Sequence, residues 1–430
     1  MLLSCVACGN RVEEQNDNPI SQQKTDTEIP QKDVEVGDIS MEITDFSVRL
    51  LQAEIQNSKG NANRLLSPYS VMTAITMLGN GAKSETKEQI EEVLGISIED
   101  LNAYIFAYME DMSETEGNRF HMANSIWLTE DSRFTVREEF IHVMKEYFDA
   151  DVYEKPFKQT TVSEINQWVE EHTDGLIKEI LNEIPADAVM YLINALVFDA
   201  KWEETYEESD MREGTFTTFD GIEQEIDFMF SEEMIYLEDE YATGFMKYYE
   251  DRDYAVVALL PNENMPLSEY VDAMSGEYLH ALLGKAQDVK TQVWLPGFEV
   301  EYQSELQETL ETMGMTDVFD VSKADLSELG TSTQGNLYVD RVIHKTYMEV
   351  SAVGTKAGAA TVIEVKDECA MIEPEDMKEV CLNRPFLYMI IDCDSNLPVF
   401  MGTVNYILAY RCGVTDDLCG YPTAEDCGLE

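Results

Sequence analysis

HKTYMEVSAVGTKAGAAT, residues 344–361, is the stretch that decides the fold, because a strand-like run gives way after Gly354 to small residues. At the two-residue period of a strand, one face of the following segment carries only small uncharged side chains, at Thr355, Ala357, Ala359 and Thr361. The other face carries Lys356, Gly358, Ala360 and Val362. A segment that slides between two existing strands needs such a face, since a buried unpaired charge and an oversized side chain are both destabilising. The pattern therefore predicts a segment that moves into a sheet, although its composition is also typical of a flexible linker.

Further blocks in a fixed order decide between these two interpretations. The Gly-Thr-x-Ala-x-Ala-Ala-Thr pattern from Gly354, about ten residues after His344-Lys345, resembles the hinge of a serpin reactive-centre loop. Other blocks resemble serpin helix entries, the third strand of the main sheet and the carboxyl-terminal strands: NRLLSPYS (63–70), GAKSET (81–86), INQWVE (165–170), LINA (192–195), LPGF (295–298), NRPFL (383–387) and FMG (400–402). The resemblance spans roughly residues 42–406.

The resemblance implies an α+β fold. A serpin has a large, mostly antiparallel main sheet, further β-sheets, about eight or nine helices and an exposed reactive-centre loop. We divide the chain into a leader and disordered acidic tether at 1–41, a serpin domain at 42–406 and a cysteine-containing extension at 407–430.

The resemblance also implies a function, irreversible inhibition of serine or cysteine proteases by a suicide-substrate reaction. The target protease cleaves the loop, the hinge inserts into the main sheet, and the protease is trapped as a covalent acyl-enzyme. The hinge corresponds to residues 354–361, and the family spacing places the reactive bond at Glu368-Cys369. Because the loop is longer than usual here, cleavage at Met371-Ile372 or after Lys366 remains an alternative.

A polar cluster beneath the opening of the main sheet is implied by the same resemblance, at Ser67, Ser70, Asn194 and His344. Trp202 corresponds to the top of the sheet, where insertion begins. A buried polar network has to be fully satisfied to be stable, so its partners can change when a strand enters.

Two alternative functions would use the serpin fold without inhibiting a protease. One is a carrier or chaperone, and the other is a surface binding module. The small face of the hinge argues against the carrier or chaperone, whereas a surface binding module would use the fold only as a scaffold. The hinge also departs from the family pattern, since Ala352 and Val353 precede Gly354 and Lys356 follows Thr355, where acidic residues are usual.

The acidic amino-acid composition limits the classes of molecule that this chain is expected to bind. The chain of 430 residues has 85 acidic residues against 29 Lys and Arg, giving a formal charge of −56, which disfavours nucleic acids, glycosaminoglycans and anionic membranes. With 44% hydrophobic residues it can bury a substantial core. We find no catalytic motif and expect no enzymatic activity, cofactor or metal site; we expect a monomer.

The amino end carries a separate signal. Leu2-Leu3-Ser4-Cys5 resembles the end of a bacterial lipoprotein signal, which predicts lipidation of Cys5, a membrane tether and an extracellular or cell-surface location. An ordinary frayed terminus is the alternative. Three further cysteines near the carboxyl terminus match no zinc spacing and are compatible with disulfides: Cys412, Cys419 and Cys427.

Overall fold

The computed structural model describes residues 1–6, 36–58, 60–114, 120–356 and 377–407. Within these ranges there are nine α-helices: Val36–Asn57 (α1), Pro68–Gly79 (α2), Ser84–Leu94 (α3), Ile98–Glu114 (α4), Glu138–Phe148 (α5), Gln159–His172 (α6), Leu267–Asp272 (α7), Gly276–Leu283 (α8) and Gln307–Met313 (α9). Two short 3₁₀ helices lie at Glu208–Asp210 and Asp317–Phe319. Among the described residues, no helix is both long and apolar enough to cross a membrane.

Eight strands form the main sheet: Leu2–Val6 (β1), Phe120–Thr129 (β3), Asp151–Lys155 (β5), Ala188–Phe198 (β6), Ala200–Lys201 (β7), Phe298–Glu305 (β13), Tyr338–Val350 (β15) and Gly354–Lys356 (β16). The hydrogen-bonded order is β5-β3-β6-β1-β15-β16-β7, and β13 pairs with the other edge of β15. All neighbours are antiparallel except β3 and β5.

A second sheet of nine strands packs behind the first: Arg64–Leu66 (β2), Met211–Thr217 (β8), Glu223–Glu238 (β9), Ala242–Tyr248 (β10), Tyr254–Pro261 (β11), Gln287–Pro296 (β12), Lys378–Cys381 (β17), Phe386–Asp392 (β18) and Leu397–Val404 (β19). A two-stranded ribbon pairs Phe134–Val136 (β4) with Gly330–Ser332 (β14). This arrangement confirms the α+β prediction.

Helix α2 lies in the core and positions two of the predicted site residues. Ser67 is its N-cap and accepts a hydrogen bond from the backbone N–H of Ser70, while Pro68 occupies the first turn, where a missing N–H has no consequence. All residues of the helix are buried, in agreement with its apolar character on every side. The sequence therefore determines the residue at which α2 begins, and this start lies beneath the main sheet.

Two hydrophobic clusters cover the two faces of the main sheet. The larger one lies between the sheets and includes α2, whereas the smaller one lies beneath α6 and contains Trp127, Trp168 and Ile193. The first residues of the chain contribute to both clusters, since Leu3 belongs to the larger one and Leu2 to the smaller one.

The expectation of a leader without structure at 1–41 is wrong at both of its ends. Leu2 and Leu3 are completely buried in β1, inside the main sheet, because they fill space that β6 and β15 leave between them. At the other end, α1 begins at Val36, since Ile39, Ile43 and Phe46 recur at helical spacing and are buried. The boundary placed between residues 41 and 42 therefore falls within a helix.

Candidate functional site

A slot between β6 and β15 is the central feature of the main sheet. Its lower part is filled by β1, whose residues Leu2 and Leu3 pair with Ile193 and Leu192 of β6 on one side. At the upper end β16 lies between β15 and β7, the short strand that follows β6. The two ends of the slot are thus closed by different segments of the chain.

A cavity lies in the slot between these two segments. It is bounded by residues 195–198 of β6, residues 345–348 of β15 and Met1 at its lower end. It extends through the sheet, from Ser67 and Ser70 at the start of α2 to Leu176, Ile177 and Ile180, which follow α6 in the chain. The cavity marks the level at which neither β1 nor β16 lies between β6 and β15.

The structure brings the four residues predicted for the polar cluster into one network at this level. We call Ser67, Ser70, Asn194 and His344 the shutter cluster; all four are buried. The backbone N–H of Ser67 donates to Nε2 of His344 over 3.1 Å, and the hydroxyl of Ser67 donates to the carbonyl of Val399 over 3.0 Å. The hydroxyl of Ser70 donates to Oδ1 of Asn194.

The network continues through a residue that the sequence did not indicate. The side-chain amide of Asn194 donates to Oδ1 of Asn124 over 2.9 Å, and Asn124 donates in turn to the carbonyl of Phe148 over 2.8 Å. Asn124 lies on β3, directly opposite Asn194. Its role depends on strand pairing, so no local sequence pattern could have revealed it.

His344 is neutral, and its two ring nitrogens are in different environments. Because Nε2 accepts a hydrogen bond, the proton of the neutral ring resides on Nδ1, which has no hydrogen-bond partner among the described residues. Burial lowers the pKa of His344 to about 3. An unpaired buried donor is destabilising by about 1–3 kcal/mol, so the shutter cluster is not fully satisfied in this conformation.

At the upper end of the slot, aromatic residues hold the first residues of the hinge. We call Trp202, Lys247, Tyr249 and Thr355 the breach cluster. The indole N–H of Trp202 donates to the carbonyl of Ser351 over 2.8 Å, and its ring stacks on Tyr249 at 4.7 Å between centroids. The hydroxyl of Tyr249 donates to Oγ1 of Thr355 over 2.6 Å. Burial raises the pKa of Tyr249 well above its usual value, so the phenol keeps its proton.

Lys247 places a buried positive charge beside these rings. Its side chain is 3% exposed, and its Nζ pairs with Glu233 at 2.7 Å. The same ammonium lies over the rings of Tyr206 and Trp202, at 4.6 and 5.6 Å from their centroids. The charge is thus stabilised by one carboxylate and two aromatic faces. Neither Lys247 nor Tyr249 was indicated by the sequence.

The start of the hinge lies inside the main sheet. Thr355 is 1% exposed. Gly354 pairs with Lys201, and a Cβ atom at Gly354 would lie 2.2 Å from the carbonyl oxygen of Ala200. Only glycine fits that closely against the neighbouring backbone.

The remaining sequence-predicted site residues lie mostly outside the described residues. This applies to the rest of the hinge and to every candidate for the reactive bond, namely Ala357, Gly358, Ala359, Ala360, Thr361, Lys366, Glu368, Cys369, Met371 and Ile372. Lys356 is the last residue of β16, and Cys5 lies in β1 opposite Val339. Lipidation of Cys5 would require cleavage before it, which would remove Leu2, Leu3 and Ser4 from the sheet.

Comparison with known proteins agrees with this geometry. Neuroserpin of Mus musculus is 28% identical over 382 residues, covering 84% of this chain and 90% of the relative. Plasminogen activator inhibitor 1 of Bos taurus is also 28% identical over 382 residues, with the same coverage of 84% and 90%. The native-state crystal structure of a thermophilic serpin, tengpin, has a TM-score of 0.80 and 41% identity, covering 91% of this chain and 97% of that one.

The sequence model of the family described as Serpin (serine protease inhibitor) matches residues 41–407. That match covers most of the chain and includes the slot, the shutter cluster and the breach cluster. This chain therefore belongs to the serpin family.

Proposed function

We propose that this chain inhibits serine proteases as a suicide substrate, through cleavage of its loop and insertion of the hinge into the main sheet. The observation that carries the proposal is the position of β16. Gly354 and Thr355 pair with β7, and Thr355 and Lys356 pair with β15, directly above the cavity. The hinge begins from a strand position within the sheet, and its register is set for further insertion.

The reaction has two competing outcomes. The protease serine attacks the carbonyl of the reactive bond, an ester to the protease forms, and the carboxyl-terminal segment leaves with a new amino group. Water can then hydrolyse the ester and free the protease, or the hinge can extend β16 into the slot and carry the attached protease with it. Inhibition requires that insertion is faster than hydrolysis.

Insertion is favourable because the slot offers unfilled backbone partners. Each residue that joins an antiparallel ladder forms backbone hydrogen bonds, each stabilising by about 0.5–1.5 kcal/mol net. The residues that would enter first are small on the face that continues from Thr355, so few side-chain atoms would have to be accommodated in the sheet. A bulky or charged hinge would favour the carrier alternative.

Family membership supports the same proposal. Most serpins are protease inhibitors rather than enzymes, and one relative of this chain is named an inhibitor of plasminogen activator. The sequence does not identify the target protease, because cleavage after Glu368, Met371 or Lys366 would suit different classes of serine protease.

The test is to mix the purified full chain with trypsin-like, chymotrypsin-like and elastase-like serine proteases and one cysteine protease. We expect a complex with at least one serine protease that survives boiling in detergent. Mass spectrometry of the released carboxyl-terminal peptide identifies the reactive bond. Loop cleavage by every protease without any stable complex would contradict the proposal and favour a non-inhibitory serpin.

A further inference from the structure

The strand β1 occupies a position that an inserting loop requires. On one side Leu2 pairs with Ile193, and on the other side it pairs with Ile343; Leu3 pairs likewise with Leu192 and Val342. The segment is therefore an interior strand with partners on both edges. No other described segment lies in the lower part of the slot.

The side chains of this segment fit the slot closely. Met1, Leu2, Leu3 and Ser4 are each 3% exposed or less. They alternate between the two faces of the sheet, so that Leu2 packs in the cluster beneath α6 while Met1 and Leu3 pack in the core between the sheets. Such complete burial on both faces distinguishes β1 from a loosely attached terminus.

The register of β16 predicts where an inserting loop would go. Glu349 pairs with Lys356, so each further loop residue would pair one position earlier on β15. Residues 357–360 would lie opposite residues 348–345, beside the cavity. Thr361 would then lie opposite His344, and Val362 would lie opposite Ile343, where Leu2 already pairs.

We propose that β1 is a resident strand that closes the lower half of the slot in the intact protein and is displaced when the cleaved loop inserts beyond residue 360. The proposal rests on the proposed inhibitory function and concerns its regulation. With β1 in place, only a short length of the hinge can enter, so the loop stays available to a protease. Full insertion requires β1 to leave.

At the first position that both strands would occupy, at the level of His344, the loop residue Thr361 is favoured over Met1. The backbone of Met1 pairs with Asn194, at the level of His344 in the shutter cluster. Thr361 would take that position, and cross-strand neighbours on one face lie close enough for their side chains to interact. Its hydroxyl would thus lie beside the Nδ1 of His344, which has no partner among the described residues.

At a position lower in the slot, opposite Arg341, Ser4 of the resident strand is favoured over the loop residue Glu364. Glu364 would take the position opposite Arg341 that the buried Ser4 holds. A carboxylate enters a buried position less readily than a serine does. Displacement of β1 therefore depends on cleavage of the loop, which frees the hinge at its far end and lets it extend along β15.

Hydrogen exchange of the intact full chain, followed by mass spectrometry, tests the resident strand directly. We expect slow exchange in the peptide that contains residues 2–6, and loss of that protection after the loop is cleaved. Residues 188–193 and 338–343 should stay protected in both forms, because the loop replaces β1 between them. Fast exchange of residues 2–6 in the intact protein, or unchanged protection after cleavage, would overturn the proposal.

A matched pair of variants separates β1 from a general effect of added charge. Leu3→Asp places a carboxylate at a completely buried position, whereas Ile222→Asp makes the same change where the side chain is 58% exposed. We expect Leu3→Asp to lose protection at residues 188–193 and 338–343, and Ile222→Asp to keep it. Equal protection in the two variants would overturn the proposal.

A deletion of residues 1–6 provides a second measurement in case Leu3→Asp does not fold. Addition of the peptide Met-Leu-Leu-Ser-Ser-Val should restore protection at residues 188–193, and a scrambled peptide should not. The same result with both peptides would contradict a specific strand position, as would natively produced protein whose chain starts at Cys5.

The hydrogen-exchange measurements report only on strand pairing in the main sheet. Detergent-stable complex formation is measured in parallel on the same samples. Absence of the complex would therefore refute the inhibitory function without refuting the resident strand, and unprotected residues 2–6 would refute the strand without refuting inhibition.

Discussion

Replacement of Thr355 by arginine is expected to convert this protein from an inhibitor into a substrate. Thr355 is 1% exposed, and its Oγ1 accepts a hydrogen bond of 2.6 Å from Tyr249. A guanidinium in that position would enter the breach cluster, where Lys247 already holds a buried positive charge 5.6 Å from the Trp202 ring. Glu233, a carboxylate beside the breach cluster, is already engaged in an ion pair with Lys247.

The magnitude follows from the cost of burying an unpaired charge, which is several kcal/mol. Because residue 355 already lies inside the sheet in the intact protein, the guanidinium would hold the start of the hinge out of the sheet, and insertion would then have to bury it. If about 3 kcal/mol of that cost is added to the barrier to insertion, insertion slows about a hundredfold, since about 1.4 kcal/mol corresponds to a factor of ten in rate. Hydrolysis of the acyl-enzyme is unaffected, so most molecules would be cleaved and release active protease.

The assay is titration of a fixed amount of protease with the variant, together with a detergent gel. We expect the number of inhibitor molecules consumed per protease inactivated to rise by one to two orders of magnitude. Two controls accompany it: Thr355→Val keeps the volume and loses only the hydrogen bond, worth about 1 kcal/mol, and Ile222→Arg adds the same charge at an exposed site. Undiminished complex formation by Thr355→Arg would refute the assignment of the hinge.

Three further predictions follow from the slot, the shutter cluster and the surface charge. The loop-cleaved protein should melt above the intact protein in a calorimetric scan, because the inserted strand adds backbone hydrogen bonds in the part of the slot that β1 leaves open; equal melting temperatures would argue against insertion. Because the folded-state pKa of His344 is lowered to about 3, its neutral form stabilises the fold at neutral pH, and this contribution is lost as pH falls from about 6.5 toward 3. Between pH 7 and pH 5, wild type should therefore lose about 2 kcal/mol more stability than His344→Asn, measured by urea unfolding, and identical pH dependence would count against this. Heparin should not accelerate inhibition at low ionic strength, since α4 and its flanks, residues 95–116, contain acidic residues and no Lys or Arg; an acceleration that salt abolishes would reveal a basic site.

The sequence by itself determined the family and much of the site. The small face after Gly354 is a local pattern with a period of two, and the Ser67-Pro68 start of α2 is a local helix signal. Similarity to serpins then assigned Ser67, Ser70, Asn194 and His344 to one cluster, and the structure places these four side chains together. Local signals of this kind depend on residues only a few positions apart, so they can be read from the chain.

Only the tertiary structure decided what fills the slot and what holds the hinge. Tyr249 and Thr355 are 106 positions apart, and β1 pairs with strands that begin near residues 188 and 338. The sequence of residues 1–6 is equally compatible with a processed signal, a frayed terminus or a strand, since nothing local specifies a partner. Strand pairing is set by which edges and cavities the rest of the fold leaves open, and that information exists only once the distant parts of the chain have come together.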